Sequence, residues 1–84
     1  MKNKILVELI VPELDEKFNL FIPINKKIGN IIVLLNKSVK ELTNGAYDGT
    51  NTTALYSKAT GEKYSINVLV RETDIRNGTS LILI

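Results

Sequence analysis

Neither histidine nor cysteine occurs among the 84 residues. This removes the side chain that titrates near neutral pH, the commonest nitrogen ligand for metals and the best thiol nucleophile. Carboxylates, amines and hydroxyls are what is left for chemistry. The densest acidic group is Glu13, Asp15 and Glu16. A hard cation takes about six or more converging oxygens, so these acids, set between two apolar runs, read as a solvated turn. Gly45-Ala46-Tyr47-Asp48-Gly49 has the glycine content of a phosphate cradle. It precedes a strand-like run and not a helix, so the N-terminal dipole and free N–H groups that would hold an anion are missing, and it reads as a flexible loop. Lys26 and Lys27 are the only adjacent lysines. They stand where a helix should begin, an end that disfavours cations, and read as a solvated pair. The expectation is a chain that is not an enzyme, with no metal and no cofactor.

The elements that remain must therefore work by contact. A chain this short is one domain, 1–84, that buries only about 60–65% of its unfolded surface. Its 44% hydrophobic composition, with two prolines and five glycines, supports a dense core. The lack of cysteine favours a reducing compartment. Met1-Lys2-Asn3-Lys4 followed by Ile5-Leu6-Val7 mimics the start of a signal peptide. Glu8 interrupts the apolar run and no small-residue cleavage site follows. No run approaches the roughly 20 apolar residues of a membrane span. The expected location is cytoplasmic, without membrane insertion. The net charge of +2 is carried by scattered lysines, unlike the basic face of a nucleic-acid binder. Asn-x-Ser/Thr sequons at Asn36, Asn51 and Asn77 are then chance occurrences. Heavy use of Ile, Asn and Lys suggests an AT-rich genome, as in a low-GC bacterium.

Residues 4–11 read as a buried strand. Pro12 ends it, residues 12–16 form a turn, and residues 17–24 form a second strand whose Pro23 suits a sheet edge. The clearest periodicity follows. Ile28, Ile31, Ile32, Leu35, Val39 and Leu42 occupy an arc of roughly 100° on a helical wheel, the width of a core-facing stripe. Asn25 is placed as the N-cap and Gly45 as the C-terminal stop. Residues 43–53 read as a loop, 53–57 as a short strand, 58–61 as a turn and 62–64 as a strand stub. Residues 66–76 admit a strand or an irregular crossing segment. Asn77-Gly78 is a turn dipeptide, and 79–84 is the last strand.

A hairpin followed by one long helix buries its apolar surface by laying the helix across one sheet face. The last strand then lies parallel to the first at the sheet centre. The expected class is α+β, a β-grasp with a mixed sheet of four to five strands packed on one helix.

On these residues the sequence resembles the ubiquitin superfamily: Ile28-x-x-Ile31 opening the helix, Leu55-Tyr56 in the third strand, and the closing run Leu69 … Asp74-Ile75-x-Asn77-Gly78-Thr79-x-Leu81-x-Leu83. Conjugating members and sulfur carriers end in a flexible Gly-Gly tail. Here the glycines at 29, 45, 49, 61 and 78 include no adjacent pair, and conjugation is not expected. A small ubiquitin-like protein without that tail is similar to the YukD/EsaB family, encoded with type VII (Esx-type) secretion systems of low-GC Gram-positive bacteria. The resemblance implies an accessory or regulatory component that acts through protein contacts.

Alternation along strands assigns the faces. Glu8 points to solvent, so Leu6 and Ile10 share its side. Asn19 takes Phe21 with it; Tyr56, Ile82 and Ile84 alternate outward from Leu55, Leu81 and Leu83. In β-grasp order these residues form one apolar stripe on the face away from the helix. Ubiquitin-like domains bind partners there, and the positions that match ubiquitin's patch are Leu14, Tyr56 and Ile84. The expected protein-binding face is therefore Leu6, Ile10, Leu14, Phe21, Tyr56, Ile82 and Ile84. Two other readings stay open: a homo-oligomeric scaffold or adaptor using the same face or the free sheet edges, and an RNA-binding sheet stacking bases on Phe21 and Tyr56.

Overall fold

The computed structural model describes residues 3–49 and 53–84. Four strands, β1 (Lys4–Val11), β2 (Glu16–Pro23), β3 (Leu55–Ser57) and β4 (Ser80–Leu83), and one helix, α1 (Ile28–Leu42), make up its main elements. The sheet order is β2-β1-β4-β3. β1 and β4 are parallel neighbours at the centre, and both outer pairs are antiparallel. This is the expected β-grasp, with four strands. Residues 62–64 contribute a single bridge, Lys63 beside Tyr56.

Side chains follow the expected alternation. Val7, Leu9, Val11, Ile22, Leu55, Leu81 and Leu83 are buried beneath the sheet, with Ile28, Ile31, Ile32, Leu35 and Val39 from α1. The reversal between β1 and β2 is a short 3-10 turn, Pro12–Leu14, closed by Asp15 at a left-handed φ of 53°.

Three details differ from the sequence reading. Leu42 lies on the right side of the helical wheel yet is 57% exposed. Periodicity sets a side chain's azimuth but not how far along the axis the sheet extends. The core ends one turn earlier and is closed by Tyr47, 3% exposed, which the loop returns to the interior. Asn25 is not the N-cap. The helix starts after Lys27, which makes no side-chain cap hydrogen bond. The free N–H groups of Ile28 and Gly29 instead donate to the carbonyls of Val68 and Ile66, at 2.9 and 3.0 Å. Those bonds belong to a ladder that continues from Val70 N–H to Lys26 C=O and from Arg71 N–H to Ile24 C=O. The ladder explains residues 66–76: they form an irregular crossing segment with one 3-10 turn, Val70–Glu72, pinned to the start of the helix. Finally, the helix stop is shared. Asn44 takes φ 53° and donates its N–H to Glu41 C=O, while Gly45 N–H reaches back to Lys40 C=O at 2.8 Å, the paired bonds of a Schellman ending.

Part of the 43–53 loop, and the sequon at Asn51, lie outside the described residues. The amide side chains of the other two sequons are engaged in hydrogen bonds. Asn36 Oδ1 accepts from the Tyr47 hydroxyl at 3.0 Å, and Asn77 Oδ1 accepts from Leu6 N–H at 2.8 Å.

Candidate functional site

The face of the sheet opposite α1 is built by register. Strand pairing places Lys17, Ile10, Ile82 and Tyr56 in one row across β2, β1, β4 and β3, and the bridge from Tyr56 adds Lys63. The next row runs through Asn19, Glu8 and Ser80. Beyond it Phe21 sits opposite Leu6. At the other end of the face Ile84 exchanges backbone hydrogen bonds with Ala54, at 2.7 and 3.0 Å.

Six of the expected residues, Leu6, Ile10, Phe21, Tyr56, Ile82 and Ile84, are thus on the open face. Phe21 and Ile84 are 54% and 61% exposed, while Ile10, Tyr56 and Ile82 are half-buried. Leu14 departs from the expectation. It belongs to the 3-10 turn, outside the strands whose alternation sets the open face, and packs half-buried against the core.

The single stripe expected from the sequence is divided in two. Ser80 Oγ donates to Glu8 Oε1 at 2.9 Å, and this polar row separates the Phe21–Leu6 pair from the Ile10–Ile82–Tyr56 row. At about 3.3 Å per residue the two apolar patches stand about 13 Å apart along β1. Alternation within strands revealed that each residue faces outward. Only cross-strand register shows which of them touch.

Register also brings in residues the sequence reading missed. Lys17 and Lys63 terminate the apolar row at its two ends, and Lys58, exposed just past β3, donates its backbone N–H to Ser80 C=O. Four strand-to-strand steps of about 4.8 Å put Lys17 and Lys63 about 19 Å apart. Nothing in the sequence pairs residues 17 and 63; their relation exists only through the sheet order. The row is an apolar centre with cationic ends, an arrangement suited to contact with an apolar surface carrying acidic groups at its margin.

The three-acid turn is spread in solvent: Glu13, Asp15 and Glu16 are all exposed, and no group of acids among the described residues is disposed to hold a metal ion. Two phenols have raised pKa values. Burial raises that of Tyr47, with a bond from Thr53 partly opposing it. Burial also raises that of Tyr64, helped by its hydroxyl's bond to Asp74 Oδ1 at 2.8 Å. Both lie away from the Ile10–Ile82–Tyr56 row. No helix in the described residues is long and apolar enough to cross a membrane.

No protein-family model matches the chain, and no curated protein matches it. Solved structures do. A chain from a structure described as molecular mimicry of SUMO that promotes DNA repair aligns with a TM-score of 0.78 at 18% identity, over 98% of this chain and 91% of that one. The ubiquitin of Caldiarchaeum subterraneum aligns at 0.68 and 14% identity, over 95% and 90%. A chain of an ESX-5 inner membrane complex aligns at 0.71 and 16% identity over 96% of this chain, which spans only 20% of that longer one. Identities this low establish the fold and nothing finer: the chain has the ubiquitin-like β-grasp fold.

Proposed function

We propose that this chain is a non-conjugating bacterial ubiquitin-like protein, an accessory component of a type VII (Esx-type) secretion system that works by binding another protein through its open sheet face. The observation that carries the binding role is the Lys17–Ile10–Ile82–Tyr56–Lys63 row. Branched aliphatic side chains and a tyrosine stand together there, half-exposed, with amines at both ends. Desolvating such a centre supplies affinity, and the charged ends supply orientation. One aromatic beside two isoleucines suits a protein surface better than a nucleic acid, which needs a series of stacking rings.

The secretion role is supported by the YukD/EsaB resemblance and by the occurrence of the same fold within a chain of an ESX-5 inner membrane complex.

The test is an affinity pull-down from native cells with tagged wild type and Tyr56→Asp, after circular dichroism shows that both are folded. Type VII components should be recovered with the wild type and lost with Tyr56→Asp. Equal recovery with both proteins would remove the contact from this face. Recovery of other proteins but no type VII component would refute the secretion role.

A further inference from the structure

The sheet has two outer edges, and the chain treats them differently. The β3 edge is covered by the chain itself: Ser57 N–H donates to Glu62 C=O at 2.9 Å and Tyr64 N–H to Leu55 C=O at 3.0 Å. The β2 edge has no such cover among the described residues. Its hydrogen-bonding parity follows from its register with β1. Ile24 N–H bonds to Asn3 C=O, so in this antiparallel pair the even-numbered residues of β2 bond to β1. The N–H and C=O groups of Lys17, Asn19 and Phe21 therefore point away from the sheet. Eight residues is a long edge to leave open. Its side chains are also incompletely covered on both faces. Phe18 and Leu20 are only half-buried on the helix side, and Phe21 is exposed on the other.

We infer that this edge pairs, antiparallel, with the same edge of a second copy about a two-fold axis through Asn19. Lys17 then lies opposite the partner's Phe21, and Asn19 opposite the partner's Asn19. Each of these pairs exchanges two backbone hydrogen bonds, and Phe18 meets the partner's Leu20 at the closer, non-hydrogen-bonded spacing. The strand's own residues select this register. Sliding by two residues in one direction sets Pro23, which has no N–H, where a donor is needed. Sliding the other way recruits Asp15, which is left-handed and outside the strand. The selected register opposes no like charges and brings the Lys17 ammonium to the ring of the partner's Phe21. It is this complementarity of the strand to itself that identifies the occupant as a second copy. The two sheets become one, with both open faces on the same side, and each Phe21–Leu6 pair continues across the join into the partner's Lys17–Ile10–Ile82–Tyr56 row. The pairing shares Lys17 with the proposed contact row and leaves Ile10, Ile82 and Tyr56 on the open face.

The chain has no cysteine, so Asn19→Cys introduces a single thiol. Across a hydrogen-bonded antiparallel pair the Cα atoms are about 5.5 Å apart, within the range of about 4.4–6.8 Å that a disulfide spans. Under mild oxidation Asn19→Cys should form a linked dimer about tenfold or more faster than Lys37→Cys, whose side chain is exposed on α1 and takes no part in the edge. In light scattering the wild type should rise from the single-chain mass of 9.4 kDa toward twice that mass as concentration increases. Asn19→Pro, which removes an outward N–H and leaves the bonds to β1, should stay at the single mass with its circular dichroism retained. Crosslinking of Asn19→Cys no faster than that of Lys37→Cys overturns the pairing. So does a wild type that stays at the single mass up to about 1 mM, the range in which a small interface should assemble. Fastest crosslinking by Phe18→Cys or Leu20→Cys overturns the register.

Discussion

Tyr47, Asn36 and Gly49 tie the long loop to the helix, beside an ion pair between Lys40 Nζ and Asp48 Oδ1 at 3.7 Å. The Tyr47 ring fills the end of the core, its hydroxyl donates to Asn36 Oδ1, and its backbone N–H donates to Thr43 Oγ1 at 3.2 Å. The Asn36 amide then lies directly over the Gly49 Cα. A Cβ built at Gly49 would overlap the Asn36 side chain. Gly49→Ala should therefore destabilise the protein by about 1–3 kcal/mol, the usual cost of overpacking, as read by thermal or urea unfolding. A change within about 0.5 kcal/mol, typical of an unconstrained surface position, would show that Asn36 turns aside freely. None of this was legible in the sequence, where Gly45 to Gly49 read as a flexible loop. The signal lay in Tyr47, a large amphipathic ring in an otherwise small and polar stretch. A buried tyrosine commonly finds a partner for its hydroxyl.

At the scale of elements, strands, helix and faces were legible because each rests on a local period. Alternation in β1, β2 and β4 placed Leu6, Ile10, Phe21, Ile82 and Ile84 on the correct face, and the spacing of Ile28 to Val39 placed the helix. What failed was whatever depended on a second element. Leu42 has the right azimuth but no sheet beneath it. Asn25 lost the cap to carbonyls from residues 66 and 68, about forty positions downstream, which no local rule could supply. The division of the open face by Glu8 and Ser80 likewise exists only through pairing. The stripe can be tested directly: Leu35→Ala should cost about 2–5 kcal/mol, as for a fully buried leucine. Leu42→Glu should change unfolding stability by no more than about 0.5 kcal/mol. A large loss at Leu42 would mean that the core extends past Val39.

Taken whole, the molecule contains no imidazole, so its response to alkali is informative. Tyr47 and Tyr64 both have phenol pKa values raised above 10.0, chiefly by burial. A raised folded-state value means that the native state holds those protons more tightly than the unfolded chain does. The resulting stabilisation is complete below about pH 9 and is lost as pH climbs through and above 10. The alkaline decline in unfolding free energy should be shallower in Tyr47→Phe than in the wild type; identical slopes would show that this phenol does not contribute. The sheet's connectivity has a consequence of another kind. The parallel β1–β4 pair joins positions 8 and 80, close to the full span of the sequence. During synthesis the β1–β2 hairpin and α1 leave the ribosome with one side of β1 still unpaired and Leu81 and Leu83 missing from the core. A hairpin alone is marginal in water, and contacts this distant slow folding because their loop must close first. The nascent chain therefore reaches its native state only after residue 83 has emerged, and until then β1 is the strand for a chaperone to shield.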